Sequence, residues 1–374
     1  MNLRTFRSVL RHYLDARVAV QLISAPGLGK SETVEDSVEQ FAREDGHPWG
    51  LCTIMAACLT PPDVLGYLVP SSRKINVAGP GGRMVEQTIQ TSEFTMPPWL
   101  MSNSGEPMNS YKRGLIFFDE WDKVDPDTKR ALAQVVLKGV AGNWAAHEGI
   151  GIVTAANRAE DRSGSTKEYD FIINRRAEIH IVPDVDSWED WAVRHGIDPL
   201  YTAFAKRNID VVFSGKVPDK QGPYCTPRTL VMMSHLLSRF ADKHGSLPVD
   251  DQKQRSIMSE MASGLIGAPA ANHFLTWCQM KTEVPDFETI VANPETAEIP
   301  KKPDGKMLVA YDCAHRLTEA TADKVVTYAL RLPKDFQLTF GAAAIKKNFK
   351  MLAHPAFMDR FTPENAGLIG LVSA

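Results

Sequence analysis

The sequence predicts an α/β fold: a parallel five-stranded sheet sandwiched between helices, followed by an α-helical lid and a helical C-terminal extension. Three observations predict it. Short apolar runs alternate with longer amphipathic stretches, the first run passes through a glycine-rich turn into a helix, and beyond residue 183 helical spacing replaces the strand pattern. Strands that are apolar almost throughout, rather than alternating, belong to a parallel sheet buried on both faces.

Taken in order, Leu3, Phe6, Val9, Leu10, Tyr13 and Leu14 recur at helical intervals and predict a helix over residues 3–16. Val18-Ala19-Val20-Gln21-Leu22-Ile23 has strand length and strand composition, and residues 31–43 read as the helix that follows its turn. Further strands are expected at residues 52–57, 114–118, 150–154 and 177–182. Residues 188–194, 199–206, 228–243 and 252–266 read as helices of the lid. Residues 284–307 are rich in Pro, Glu and Lys and read as a linker or long loop, and residues 308–374 read as helical again.

Composition is permissive. Of the 374 residues, 44% are apolar and 23% charged, which is the ordinary globular range, and a net charge of −3 exerts no global pull on nucleic acid or an anionic membrane. No apolar run approaches the ~20 residues that span a bilayer, and the charged start of the chain does not resemble a secretory leader, so a cytoplasmic protein is expected. Cys52, Cys58, Cys225, Cys278 and Cys313 lack metal-ligand spacing and read as reduced, small core residues.

Two motifs carry chemistry. Ser24-Ala25-Pro26-Gly27-Leu28-Gly29-Lys30-Ser31 fits the phosphate-binding P-loop pattern at every position but the first, where serine replaces glycine. Gly27 and Gly29 let successive backbone N–H groups curl around phosphate oxygens, and the helix beginning near Lys30 adds a positive terminus. Pro26, Gly27, Leu28, Gly29, Lys30, Ser31 and Glu32 are therefore the expected ATP-binding segment, with Lys30 on the β- and γ-phosphates and Ser31 on Mg²⁺. Later in the chain, Leu115-Ile116-Phe117-Phe118 ends on Asp119-Glu120. Strand-end carboxylates at the ligand-binding edge of a parallel sheet suit two roles, Asp119 holding Mg²⁺ and Glu120 polarising the attacking water. The structural alternative makes residues 119–122 the start of an exposed helix.

The remaining motifs resemble those of AAA+ ATPases. Thr154-Ala155-Ala156-Asn157-Arg158 looks like their sensor 1, which implies that Asn157 contacts the γ-phosphate or the water. Asn174-Arg175-Arg176 resembles the segment that carries the arginine finger; Arg175 is the better match, and Arg176 stands where an apolar residue is usual. Thr226-Pro227-Arg228-Thr229 resembles the start of the sensor 2 helix, with Arg228 facing phosphate. Pro61-Pro62-Asp63-Val64-Leu65-Gly66, Met96-Pro97-Pro98-Trp99-Leu100 and Trp188-Glu189-Asp190-Trp191-Ala192 are similar to segments of the MoxR-type branch, over roughly residues 18–240. Hairpins at residues 74–90, turning at Gly79-Pro80-Gly81-Gly82, and at residues 140–149 fit the same branch, where such loops face a pore or a partner.

The resemblance implies an AAA+ nucleotide-binding domain over residues 1–183 and a lid over 184–283, while the linker over 284–307 and the helical extension over 308–374 are read from composition and spacing alone, residues 245–374 resembling no family. It further implies a Mg²⁺-dependent ATPase assembling as a homo-hexameric ring, since an arginine finger completes a neighbour's site. A protein client is expected, with a von Willebrand factor A domain protein as the resemblance-based partner. A nucleic-acid-directed motor or loader and an ATP-gated assembly module with little turnover are the alternatives. Near-neutral charge speaks against the first and the Asp119-Glu120 pair against the second. His180 reads as a hydrogen-bonded core histidine, and Lys346, Lys347 and Lys350 as a solvated helix face.

Overall fold

A computed structural model describes residues 1, 3–78, 83–161, 166, 168–242, 246–280 and 284–365. They form two compact units, Met1–Val182 and Pro183–Ala374.

The first unit runs α1 (Leu3–Asp15), β1 (Val20–Ser24), α2 (Lys30–Asp45), β2 (Trp49–Met55), α3 (Pro61–Leu65), β3 (Leu68–Ala78), β4 (Met84–Phe94), β5 (Arg113–Asp119), α4 (Pro126–Lys138), β6 (Val140–Ala141), β7 (Trp144–Ala145), β8 (Ile150–Asn157), α5 (Asp170–Ile173) and β9 (Ala177–His180). Five of these strands form one sheet in the order β2-β5-β8-β1-β9, and every neighbouring pair is parallel. This is the P-loop αβα arrangement, and each apolar run of strand length in the sequence contributes one of its strands. Alternation along β5 divides the core. Leu115 and Phe117 join Phe6, Val34 and Phe41 on one face, while Ile116 and Phe118 join Leu132 and Val136 on the other. All four strand residues are fully buried, and each such side chain stabilises the unit by roughly 1.5–3 kcal/mol.

The hairpin read at residues 74–90 is longer than its glycine turn announces. β3 and β4 pair from Leu68↔Phe94 to Ala78↔Met84, and the turn at Gly79, Pro80, Gly81 and Gly82 lies outside the described residues. Most of its side chains are exposed on both faces. The second hairpin pairs β6 with β7. His180 is exposed rather than a core histidine: β9 is the sheet's edge strand, and its outward-facing positions meet solvent. Its carbonyl accepts a 2.7 Å hydrogen bond from the amino terminus of Met1. Cys58 is likewise exposed, while the other four cysteines are buried and all five are free thiols.

The second unit comprises α6 (Val185–Arg194), α7 (Pro199–Arg207), α8 (Ile209–Val212), α9 (Pro227–Leu237), α10 (Gln252–Ile266), α11 (Ala268–Met280), α12 (Phe287–Ala292), α13 (Pro303–Arg316), α14 (Ala322–Ala329), α15 (Lys334–Lys347) and α16 (Thr362–Glu364). A single hydrophobic core runs through it, from Trp188 to Phe361. The stretch 284–307, read as a linker, contains α12 and the first turn of α13, because Phe287, Ile290 and Ala297 insert into that core despite the polar composition around them.

Lys346 also departs from the solvated face expected of it. Its ammonium lies 2.9 Å from Glu189 and 3.0 Å from Asp190. Glu189, with a side chain 2% exposed, also takes an ion pair from Lys206 at 2.8 Å and a hydrogen bond from the Tyr311 hydroxyl. One carboxylate thus joins α6, α7, α13 and α15. Burial alone raises its pKa, but Lys206, Lys346 and the Tyr311 hydroxyl reverse that and hold it below the usual carboxylate range. No helix among the described residues is long and apolar enough to cross a membrane.

Removing this carboxylate leaves Lys346 with Asp190 and Lys206 with the more exposed Asp186, and takes the acceptor from the buried Tyr311 hydroxyl, so Glu189→Ala is expected to destabilise the second unit by about 2–4 kcal/mol. Urea denaturation followed by tryptophan fluorescence measures it, and a loss below about 1 kcal/mol would contradict a structural role. Since the folded carboxyl titrates below the unfolded one, its contribution is complete above the unfolded value of about 4.3 and is lost as pH falls through the folded value.

Candidate functional site

The site is assembled at the carboxyl ends of β1, β8 and β5, three strands that are adjacent in the sheet although distant in sequence. β1 ends at Ser24, whose register partner on β8 is Asn157. The chain then turns through residues 25–29. Gly27 has φ 76° and Gly29 φ 80°, a left-handed backbone that favours glycine, and a Cβ on Gly29 would meet no atom within 4 Å. The turn therefore leaves an open cradle. Thr33 is the residue whose N–H returns to the Gly29 carbonyl, at 2.9 Å, so the N–H groups of the preceding turn of α2 point toward the loop. Leu28 is buried and anchors the loop, whereas Glu32 is exposed in the first turn of the helix.

Lys30 is 8% exposed, and its ammonium is surrounded by oxygens: the Ser24 carbonyl at 3.2 Å, the Ser24 hydroxyl at 3.0 Å, the Ala25 carbonyl at 3.4 Å and Asn157 Oδ1 at 3.1 Å. Next to it, the Ser31 hydroxyl donates to Asp119 Oδ2 at 2.5 Å, across 88 residues of sequence. The two motifs thus meet in space. Hydroxyl and carboxylate oxygens converging at one point form a hard donor pair that suits Mg²⁺, which takes few protein ligands and completes its shell with phosphate and water. On the same helix, burial first, and then the neighbouring Glu32, Asp36 and Asp119, raise the Glu35 carboxyl above its ordinary value. Among the described residues no group of three or more His, Cys, Asp or Glu side chains forms a separate metal cluster.

The acids do not begin an exposed helix. Glu120 sits in the left-handed region at φ 54°, and a single tight turn, Trp121–Lys123, carries Trp121 and Asp122 inward before Asp125 caps α4. Glu120 pairs with Lys123 at 3.1 Å. A non-glycine residue in that conformation costs about 1–2 kcal/mol.

Asp122 is a residue of the site that the motif reading passed over. It is 5% exposed, and its Oδ1 accepts a 3.1 Å hydrogen bond from the backbone N–H of Asn157. It therefore joins the turn after β5 to the end of β8 and fixes Asn157 beside Lys30. Its spacing, three residues beyond Asp119, is the one signal the sequence carries.

The two arginines part company. Arg175 is exposed, just past the end of α5. Arg176 has a side chain 1% exposed, pairs with Glu168 at 3.1 Å and Glu178 at 3.5 Å, and stacks over Trp121 at 5.8 Å. Lys129, also buried, lies 3.9 Å from Glu168; burial lowers its pKa, against the pull of that carboxylate. Arg176 thus belongs to a buried ionic cluster of its own chain. Arg228 is in the second unit, exposed in the first turn of α9, which Thr226 and Thr229 cap reciprocally.

The chain matches no protein-family model and no curated protein sequence. Among solved structures it is similar to NtrX from Brucella abortus in complex with ADP, at 11% identity over 98% of this chain and 68% of that one, with a TM-score of 0.35. It is also similar to a mutant of RuvB from Thermotoga maritima, at 12% identity over 78% of this chain and 76% of that one, with a TM-score of 0.36. At such scores the fold assignment rests on the strand order and loop geometry described above.

Asp122→Ala removes a buried acceptor and leaves the Asn157 N–H without it, so a stability loss of about 1–3 kcal/mol is expected. Glu120→Asn, by contrast, relieves the left-handed strain and is expected to hold stability level or raise it by up to about 1 kcal/mol. Paired urea titrations of the two variants check both signs.

Proposed function

We propose that this protein is a Mg²⁺-dependent AAA+ ATPase of MoxR type, working as a homo-hexameric ring that remodels or activates a protein partner. The observation that carries the reading is the meeting of Lys30, Ser31, Asp119 and Asn157 at the ends of three neighbouring strands. A phosphate-binding turn, a hard-cation donor pair and a side-chain amide in one place are the parts that phosphoryl transfer to water requires.

In this reading the backbone N–H groups of residues 27–31 cradle the phosphates of ATP, and Lys30 donates to the terminal ones. Ser31 and Asp119 hold Mg²⁺, which supplies charge neutralisation on the phosphate oxygens. Glu120 accepts the proton of the attacking water, and Asn157 orients that water from a position fixed by Asp122. Arg175, exposed and adjacent to the buried anchor Arg176, stabilises the transition state in the neighbouring subunit. The long exposed hairpin β3–β4 is a surface suited to the protein client. A von Willebrand factor A domain protein is the partner that the MoxR resemblance points to.

Steady-state hydrolysis by Glu120→Gln, by Arg175→Ala and by their one-to-one mixture tests the reading. Each variant alone is expected to lose about 10²-fold or more in kcat, and the mixture to recover activity, because some interfaces then combine an intact Glu120 with an intact Arg175. Wild-type turnover by Arg175→Ala at every protein concentration would contradict the ring mechanism.

A further inference from the structure

Ser24 is the position at which this loop departs from the P-loop pattern. Glycine there offers Lys30 a carbonyl oxygen and no side chain. Serine adds a hydroxyl, fully buried, 3.0 Å from the Lys30 ammonium. The direction of that hydrogen bond is settled by a second one: the same hydroxyl donates its proton to the Ala25 carbonyl at 2.9 Å, so its lone pair faces the lysine.

An ammonium has three N–H donors, and Lys30 has at least four protein oxygens within 3.4 Å among the described residues. A phosphate oxygen that bonds to Lys30 must therefore compete with protein acceptors already in reach. Two of the competitors are backbone carbonyls that any residue would supply, and one is the Asn157 side chain. The fourth belongs to this chain's own substitution. Charge-assisted contacts of this kind are roughly twice as strong as neutral ones, so one acceptor more or fewer changes the balance measurably.

We propose that the Ser24 hydroxyl is a latch on Lys30 that weakens nucleotide binding and so sets the concentration range in which the site fills. The latch rests on the reading of the loop as a nucleotide site. It acts on the lysine, not on the transferred group, so Ser24 is a positioning residue. Its signature is a split between the two kinetic constants: KM moves and kcat does not.

The test compares wild type, Ser24→Gly and Ser24→Ala by calorimetric titration with Mg·ADP and Mg·ATPγS, and by steady-state hydrolysis of Mg·ATP. Both variants are expected to bind both nucleotides about three- to tenfold more tightly, with KM falling in parallel and kcat within about twofold of wild type. Equal or weaker binding by both variants would overturn the latch and make the hydroxyl a support for the lysine in the complex. Should loss of the buried hydroxyl prevent folding, Ser24→Cys keeps the side-chain shape with a much weaker acceptor and is expected to tighten binding in the same way. A wild type that binds neither nucleotide removes the nucleotide reading and the latch together. A wild type that binds while the variants merely match it removes the latch alone.

Discussion

A lysine ammonium cannot remain inside a protein without oxygens to receive it, and the burial of Lys30 sets the terms for everything around it. Its acceptors come from the last residue of β1 and the one after it, and from the last residue of β8, so the two strands must lie side by side and end level. The sheet order puts β1 next to β8 and β8 next to β5, which brings Asp119 within reach of Ser31, the residue after the lysine. A different order would keep the same motifs and separate their side chains. The fold, in this sense, is the device that delivers four polar groups to one point.

The same logic recurs at two places away from the loop. In the first unit Arg176, Lys129, Glu168 and Trp121 tie the segment before β9 to the turn after β5. Arg175 and Glu120 thus stand on backbone joined by one buried cluster, while their side chains remain outside it. In the second unit Glu189 gathers two lysines and a tyrosine from three other helices. Buried charges are costly to strand, and each cluster makes the segments it joins depend on one another.

What was legible in the sequence followed from local pattern. The strand at Leu115 to Phe118 announces itself because both sheet faces are covered, and the loop at residues 24–31 because its glycines and lysine stand at fixed spacing. What was not legible depends on partners far along the chain. The motif favours Arg175 over Arg176 only as the better match, whereas Glu168 and Trp121 separate the two physically by burying Arg176. Lys346 looks like part of a solvated basic cluster until Glu189, 157 residues earlier, is placed beside it. Residues 284–307 have a linker's composition, but two or three apolar side chains suffice to seat a short helix in an existing core. Asp122 carries no signal of burial in its own neighbourhood, because a tight turn at Trp121–Lys123 is what directs it inward.

The central claim is that the loop after β1 binds nucleotide through Lys30, with Ser31 and Asp119 serving the cation. Its most direct test is calorimetric titration of Mg·ATPγS into wild type, Lys30→Ala and Asp119→Asn, repeated for wild type without Mg²⁺. The account predicts saturable binding by the wild type, at least about tenfold weaker binding by Lys30→Ala, and a Mg²⁺ dependence that Asp119→Asn largely abolishes. Equal affinity across all three proteins, with or without Mg²⁺, would contradict it.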